Sequence, residues 1–145
     1  MKTTFTILII LVCSILFFGC AKTVDTVEAP EAKVSRLLTG IGNRYWHLTK
    51  IYVNNIQQTL SDAQMKYTKT YTIDPTKQNA GKFTNSDGLS GTWAITGSIN
   101  YIESFVSGGG AGLQVNYLIL DISENTLDVQ YSANNKLVRE VYYAY

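Results

Sequence analysis

The sequence predicts an all-β fold, an antiparallel up-and-down barrel of eight or nine strands with a short N-terminal helix. From residue 44 onwards, apolar and polar residues alternate in short segments enriched in Tyr, Val, Ile and Thr, the pattern of half-buried antiparallel strands. Turn-forming Asn, Asp and Gly residues separate these segments at the intervals expected between consecutive hairpins. Such strands can stack as a sandwich or close on themselves, and the hairpin spacing favours closure, which also removes exposed edges.

The first twenty residues have the pattern of a bacterial lipoprotein signal. Lys2 precedes an apolar run from Phe5 to Phe18, and the small residue Gly19 stands directly before Cys20. The run is too short to span a bilayer permanently, so we expect cleavage before Cys20 after lipid has been attached to its thiol. Two or more acyl chains would then hold the protein to the membrane. The alternative is an ordinary secreted protein with a free N-terminal cysteine.

The predicted organisation has three parts. They are a signal peptide over residues 1–19, a lipid-anchored linker over residues 20–31 and a barrel domain over residues 32–145. Neither an acidic export run nor an aspartate follows the lipidated cysteine. We therefore expect an outer-membrane lipoprotein of the cell envelope that faces the periplasm and is linked to the membrane by its lipid.

Composition argues against several classes of function. Cleavage removes one lysine and no acid, so the 12 basic side chains fall to 11 and balance the 11 acidic ones. A neutral chain without a basic run is not expected to bind nucleic acid. Cys13 leaves with the signal peptide and Cys20 carries the lipid, which excludes disulfides, thiol catalysis and cysteine-based metal sites.

A short helix is expected to open the domain and to plug or flank the barrel. Pro30 suits a first helical position, and apolar residues recur after it at helical spacing. Gly40 or Gly42 can end the helix because glycine adopts a positive φ without strain.

Strands and turns alternate through the rest of the domain. The Asn pairs at 54–55 and 134–135 can supply the positive φ angles of tight hairpin turns. Ser61 and Gln64 form a capping box, which predicts one short helix between two strands. Strands are predicted over residues 44–53, 56–60, 67–73, 81–85, 89–96, 98–106, 113–122, 126–131 and 137–145, with a glycine-rich loop over residues 107–112.

The last strand predicts a buried arginine. Alternate residues from Leu137 to Tyr145 share one face, and if that face is the inner one, the Arg139 guanidinium points into the core. It would then lie flat on an aromatic ring, for which Trp46 on the first strand is the candidate. The alternative is that a bulge turns Arg139 outward, to pair with Glu140 or another surface acid.

Several short motifs resemble the lipocalin and wider calycin pattern. An early strand carries Trp46 after a glycine, and Gly91-Thr92-Trp93 reproduces the Gly-x-Trp triplet of lipocalins at a mid-chain position. The order of the segment 46–51, the Asn-Asn turn, the short capped helix and the segment 87–93 is similar to the small lipocalin-like lipoprotein domains of the Bacteroidota. This resemblance covers residues 37–145 and implies a barrel fold and an envelope location.

The chain offers little for catalysis, and no enzyme activity, cofactor or metal is predicted. His47 is its one histidine, and by alternation it faces away from Trp46 and lies on the surface. Asp121, Glu124 and Asp128 lie close together around one turn without the glycine-bearing loop of a calcium site, so a solvated turn is expected.

Two functions fit these features. In the first, the barrel binds a small apolar or amphipathic ligand in its mouth, lined by Trp93, Tyr101, Tyr117 and Tyr131. In the second, the core is filled and the outer surface or the glycine-rich loop contacts an envelope protein, as an assembly component or an inhibitor. An apolar cavity of about 300 Å³ or more favours the first function, and a filled core favours the second.

Overall fold

The computed structural model describes residues 28–105 and 112–145. The predicted signal peptide, Cys20 and most of the predicted linker lie outside the described residues, as does the glycine-rich loop apart from Gly112. Within the described ranges, no helix combines the length and the apolar character needed to cross a bilayer.

The described part of the chain contains one α-helix, one 3-10 turn and nine strands. Helix α1 covers Pro30–Thr39, and the 3-10 turn covers Gln64–Lys66. The strands are β1 (Asn43–Val53), β2 (Ile56–Gln58), β3 (Thr68–Ile73), β4 (Ala80–Asn85), β5 (Ser90–Gly97), β6 (Asn100–Phe105), β7 (Gln114–Ile122), β8 (Thr126–Ala133) and β9 (Lys136–Ala144). Each predicted strand is present, and its bounds lie within about two residues of the prediction.

The strands form a closed antiparallel barrel. Each strand from β3 to β9 pairs with the next, and β1 pairs with both β3 and β9. Strand β2 forms a hairpin with the end of β1, beyond the residues that pair with β3. Eight strands therefore close the wall and one is added to it, which confirms the predicted all-β barrel with a short helix before its first strand.

Local turn chemistry is as predicted. Asn54 and Asn55 have φ angles of 48° and 66°, and Asn134 and Asn135 have φ angles of 49° and 59°. These left-handed conformations are the ones that a two-residue hairpin turn requires. Gly40 ends helix α1 with a φ angle of 64°.

The predicted capping box forms, but the helix that it starts is a single 3-10 turn. The Ser61 N–H donates to Gln64 Oε1 over 3.0 Å, and the Gln64 N–H donates to Ser61 Oγ over 3.3 Å. Tyr67 is already extended, with φ of −70° and ψ of 128°, because strand β3 begins at the next residue.

Helix α1 closes one end of the barrel. The Trp46 indole N–H donates to the Leu38 carbonyl over 2.8 Å, and Val34 and Leu38 belong to the buried core. Arg44 on β1 donates to the Leu37 carbonyl over 2.7 Å, and its guanidinium carbon lies 5.6 Å from the centre of the Trp46 ring. The helix is thus attached to the first strand by two side chains, the buried Trp46 in the core and the part-buried Arg44 at the end of the barrel.

The prediction that Arg139 points into the core is wrong. Cross-strand partners lie on the same face of a sheet, and β8 directs Leu127 and Val129 into the core. Their partners on β9 are Tyr142 and Glu140, so these residues face inward and Arg139 faces outward. No bulge in β9 is needed, because its pairing with β8 is continuous.

Arg139 faces outward and pairs with an acid, as in the alternative, but the acid is Asp128 on the neighbouring strand. Its side chain is 39% exposed, and its Nε donates to Asp128 Oδ1 on β8 over 2.8 Å. The ring beneath its guanidinium is that of Tyr52, with 5.0 Å to the ring centre, and the Trp46 ring is covered by Arg44 instead.

Candidate functional site

A buried ion pair lies inside the barrel. Lys69 on β3 and Glu103 on β6 both face inward, and their side chains are 4% and 0% exposed. Lys69 Nζ donates to both carboxylate oxygens of Glu103 over 3.1 Å. The next inward positions of these strands, Tyr71 and Tyr101, are buried aromatic residues. Strand alternation therefore carries the two charges into the core together with the aromatic residues.

Tyrosine hydroxyls complete the hydrogen bonding of this pair. Tyr71 and Tyr117 each donate to the Glu103 carboxylate, Tyr117 over 3.2 Å. Lys69 also donates to the Tyr117 hydroxyl over 3.0 Å, and its ammonium lies 4.7 Å from the centre of that ring. The Tyr101 hydroxyl is 3.3 Å from the Tyr71 hydroxyl. Buried charges need both an opposite charge and hydrogen bonds, and this network supplies both.

Burial and the ion pair determine the protonation states. Burial by itself lowers the pKa of Lys69, but the tyrosine oxygens and the Glu103 carboxylate around it outweigh burial and raise this pKa well above the usual value. Burial, followed by the negative charge of Glu103, raises the pKa of Tyr71 and of Tyr101. Lys69 is therefore charged at neutral pH, the state in which it pairs with the Glu103 carboxylate.

A second inward carboxylate, Glu140 on β9, is less deeply buried. It accepts hydrogen bonds from the hydroxyls of Tyr131, over 2.9 Å, and of Tyr142. Its cross-strand partners, Val129 and Ile51, are core residues, in agreement with its inward orientation. Burial and the negative charge of Glu140 raise the pKa of Tyr131, so this hydroxyl stays protonated and able to donate.

The barrel wall is open between β7 and β8. Pairing between these strands covers residues 118–122 and 127–130. Residues 114–117 of β7 pair with β6 alone, and residues 131–133 of β8 pair with β9 alone. The two strands therefore separate towards the end of the barrel opposite helix α1, and we call this opening the β7–β8 gap.

A cavity of about 740 Å³, open to solvent, lies at the β7–β8 gap. Three of the four predicted ligand residues, Tyr101, Tyr117 and Tyr131, line it. The Tyr101 and Tyr117 rings stack with centroids 4.8 Å apart, and the Tyr117 and Tyr131 rings meet edge to face at 5.1 Å. Apolar and polar side chains share the rest of the lining, among them Leu113, Gln114, Val115, Gln130, Ser132 and Leu137.

Trp93, the fourth predicted ligand residue, lies elsewhere in the core. Its side chain is 1% exposed and meets the Tyr71 ring edge to face, with centroids 6.4 Å apart. Because Gly81 has no side chain, the Trp93 indole can lie across it and donate to the Thr72 carbonyl over 3.0 Å. Trp93 does not line the cavity at the gap.

Side chains fill the interior beneath the gap. Large strand residues with at most 1% of their surface exposed include Trp46, Tyr71, Phe83, Trp93, Tyr101, Leu127, Val129 and Tyr142. A ligand can therefore occupy the gap itself, and no channel for it continues along the barrel axis.

The remaining candidate residues lie on the outside. His47 is partly buried and contacts Tyr145, with ring centroids 5.5 Å apart. Glu124 pairs with Arg36 over 3.1 Å and with Arg44 over 2.6 Å. In the part of the chain that the structure describes, no three His, Cys, Asp or Glu side chains are grouped so that they could hold a metal ion.

Lys69, Glu103 and Glu140 were not among the residues predicted to form a site. A signal for Glu103 exists, because it stands two residues after Tyr101 and must share the face on which that tyrosine is buried. Glu103 was nevertheless not predicted to be buried, because charged side chains are usually exposed.

Known proteins show little likeness to this chain. No family model matches it, and no curated protein sequence matches it. Among solved structures, a de novo designed fluorescence-activating β-barrel is similar, with 11% sequence identity and a TM-score of 0.42 over 77% of this chain and 98% of that chain. Likeness at this level carries no argument about function, and the barrel fold follows from the strand pairing itself.

Proposed function

We propose that this protein is a lipid-anchored envelope lipoprotein whose lipocalin-like barrel binds a small apolar or amphipathic ligand at the β7–β8 gap. The cavity of about 740 Å³ at this gap is the observation that supports the proposal. Its volume lies within the range of small-molecule sites, and its lining combines aromatic rings, aliphatic side chains and polar side chains, which suits an amphipathic ligand better than a purely apolar one.

The ligand is expected to enter through the side of the barrel. Helix α1 closes one end, and the interior below the gap is filled by aromatic side chains. Tyr117, which is 5% exposed, and Tyr131 form the floor on which the ligand would lie. Two tyrosine rings offer a large apolar area with hydroxyl groups at the edge, which suits an amphipathic molecule.

Calorimetric titration of the purified protein with ten-carbon amphiphiles tests this function. The set is decanol, decanoate and decyltrimethylammonium, each used below its micellar or solubility limit. Val115→Trp places an indole in the gap and is expected to abolish binding. Thr92→Trp, at an exposed outward position of β5, is the matched control and is expected to bind as the unmodified protein does. Failure of all three amphiphiles to bind, or equal binding by Val115→Trp, would overturn the proposal.

The second candidate is an envelope interaction protein, which the filled interior favours. The unpaired edges over residues 114–117 and 131–133 could receive an extended segment of a partner by strand addition. Cross-linking in the intact envelope would detect such a partner, and loss of the cross-link in Val115→Trp would assign it to the gap.

Membrane attachment through Cys20 is part of the proposal and has its own test. Cys20→Ser removes the thiol that lipid would modify, so the protein should leave the membrane fraction. Unchanged membrane fractionation of Cys20→Ser would overturn the lipoprotein assignment.

A further inference from the structure

The barrel interior holds more negative than positive side chains. Between the end closed by α1 and the β7–β8 gap, three charged side chains of residues 28–105 and 112–145 face inward: Lys69, Glu103 and Glu140. Lys69 directs its ammonium at both oxygens of Glu103, so these two charges compensate each other. The carboxylate of Glu140 is the third inward charge, and this pair does not neutralise it.

Glu140 has hydroxyl donors but no cationic partner among the described residues. Tyr131 and Tyr142 donate to its two carboxylate oxygens, and no Lys, Arg or His nitrogen of the described ranges lies within 4.0 Å of them. Lys136 is the nearest base along the same face of β9, but it is exposed and stands four residues away, about 13 Å along an extended strand. Each oxygen therefore retains capacity to accept from a further donor.

The Tyr131 hydroxyl lies between the Glu140 carboxylate and the cavity. The Tyr131 ring lines the cavity, and its hydroxyl donates to Glu140 Oε1. The Tyr117 ring meets that of Tyr131 edge to face, and Tyr101 and the Lys69 ammonium already lie against the Tyr117 ring. Tyr131 is therefore the ring that a ligand in the gap can contact close to this carboxylate. Ammonium groups, including quaternary ones, bind to this combination by contact with aromatic faces and by electrostatic attraction to the carboxylate.

We propose that the β7–β8 gap selects amphiphiles with a cationic ammonium head group, which lies against the Tyr131 ring on the side of the Glu140 carboxylate. The tail of the ligand contacts the apolar part of the lining, Leu113, Val115 and Leu137. An anionic head group would instead meet the charge of Glu140 at short range. This inference rests on the proposed function and specifies its ligand class.

Matched head groups test the inference. The unmodified protein is titrated with decyltrimethylammonium, decanol and decanoate. We expect the cation to bind about tenfold more tightly than the alcohol, the effect of one cation–π contact. In Glu140→Gln the preference should disappear while decanol still binds. Asp121→Asn removes an exposed carboxylate from the outside of β7, and this matched control should keep the preference.

The outcomes separate this inference from the proposed function. Binding of decanol without a preference for the cation, or an equal preference in Glu140→Gln, overturns the head-group assignment and leaves the binding function standing. Failure of all three amphiphiles to bind overturns both. The comparison of head groups on the unmodified protein decides the sign of the preference even if Glu140→Gln does not fold.

Discussion

Replacing Lys69 by methionine removes one charge of the buried ion pair and keeps most of the side-chain volume. The Glu103 carboxylate, which is completely buried, then loses the ammonium that donates to both of its oxygens. It keeps the hydroxyl donors of Tyr71 and Tyr117. Two neutral donors do not compensate a buried negative charge, so the remaining carboxylate should destabilise the folded state.

We expect Lys69→Met to lower the free energy of unfolding by about 3 to 5 kcal/mol, the usual cost of leaving one member of a buried pair alone. Adding Glu103→Gln to this variant removes the uncompensated charge and leaves an amide oxygen that can accept from one tyrosine. One hydroxyl then lacks an acceptor, at a cost of about 1 to 3 kcal/mol. The double variant should therefore be more stable than Lys69→Met alone.

Urea unfolding followed by circular dichroism measures these differences. The unmodified protein, both single variants and the double variant complete a double-mutant cycle, which isolates the coupling between Lys69 and Glu103. A loss under about 1 kcal/mol in Lys69→Met would show that the pair contributes no more than an exposed one. Additive losses in the double variant would equally refute the reasoning, because the two charges would then be independent.

Three further predictions concern other parts of the barrel. Above pH 10 the free energy of unfolding should fall. The unfolded chain releases tyrosine protons near the ordinary pKa of 10.0, whereas in the folded protein burial raises the pKa of Tyr101 and this residue retains its proton. Each such hydroxyl contributes about 1.4 kcal/mol per pH unit to this fall, so Tyr101→Phe should reduce the slope of stability against pH by that amount. An unchanged slope would show that the Tyr101 hydroxyl does not have a raised pKa. Gly81→Ala should lower the free energy of unfolding by about 1 to 3 kcal/mol or more, because the new Cβ would stand 1.9 Å from the Thr72 carbonyl oxygen. An unchanged melting temperature in thermal unfolding would contradict this close packing. Arg139→Ala should cost about 0.2 to 1 kcal/mol in urea unfolding, since its pair with Asp128 is partly exposed, and a loss near 3 kcal/mol would indicate a buried pair.

Local sequence determined most of the architecture. Tight turns at Asn54-Asn55 and Asn134-Asn135, and the helix end at Gly40, follow from residues that adopt positive φ angles at little cost. Period-two alternation between such turns predicts each strand, and a series of consecutive hairpins predicts closure into a barrel. These features depend on residues that are neighbours along the chain, and a single sequence contains them completely.

Tertiary structure alone decided which face of each strand is inside and where the wall opens. Alternation divides β9 into two faces, but both carry apolar residues, and the pairing of β9 with β8 places Tyr142 and Glu140 inside and Arg139 outside. Lys69 and Glu103 are 34 residues apart and meet only because the barrel brings β3 and β6 together across its interior. The β7–β8 gap likewise depends on where pairing between two strands stops. Contacts between distant segments determine these features, and the pattern within one segment does not contain them.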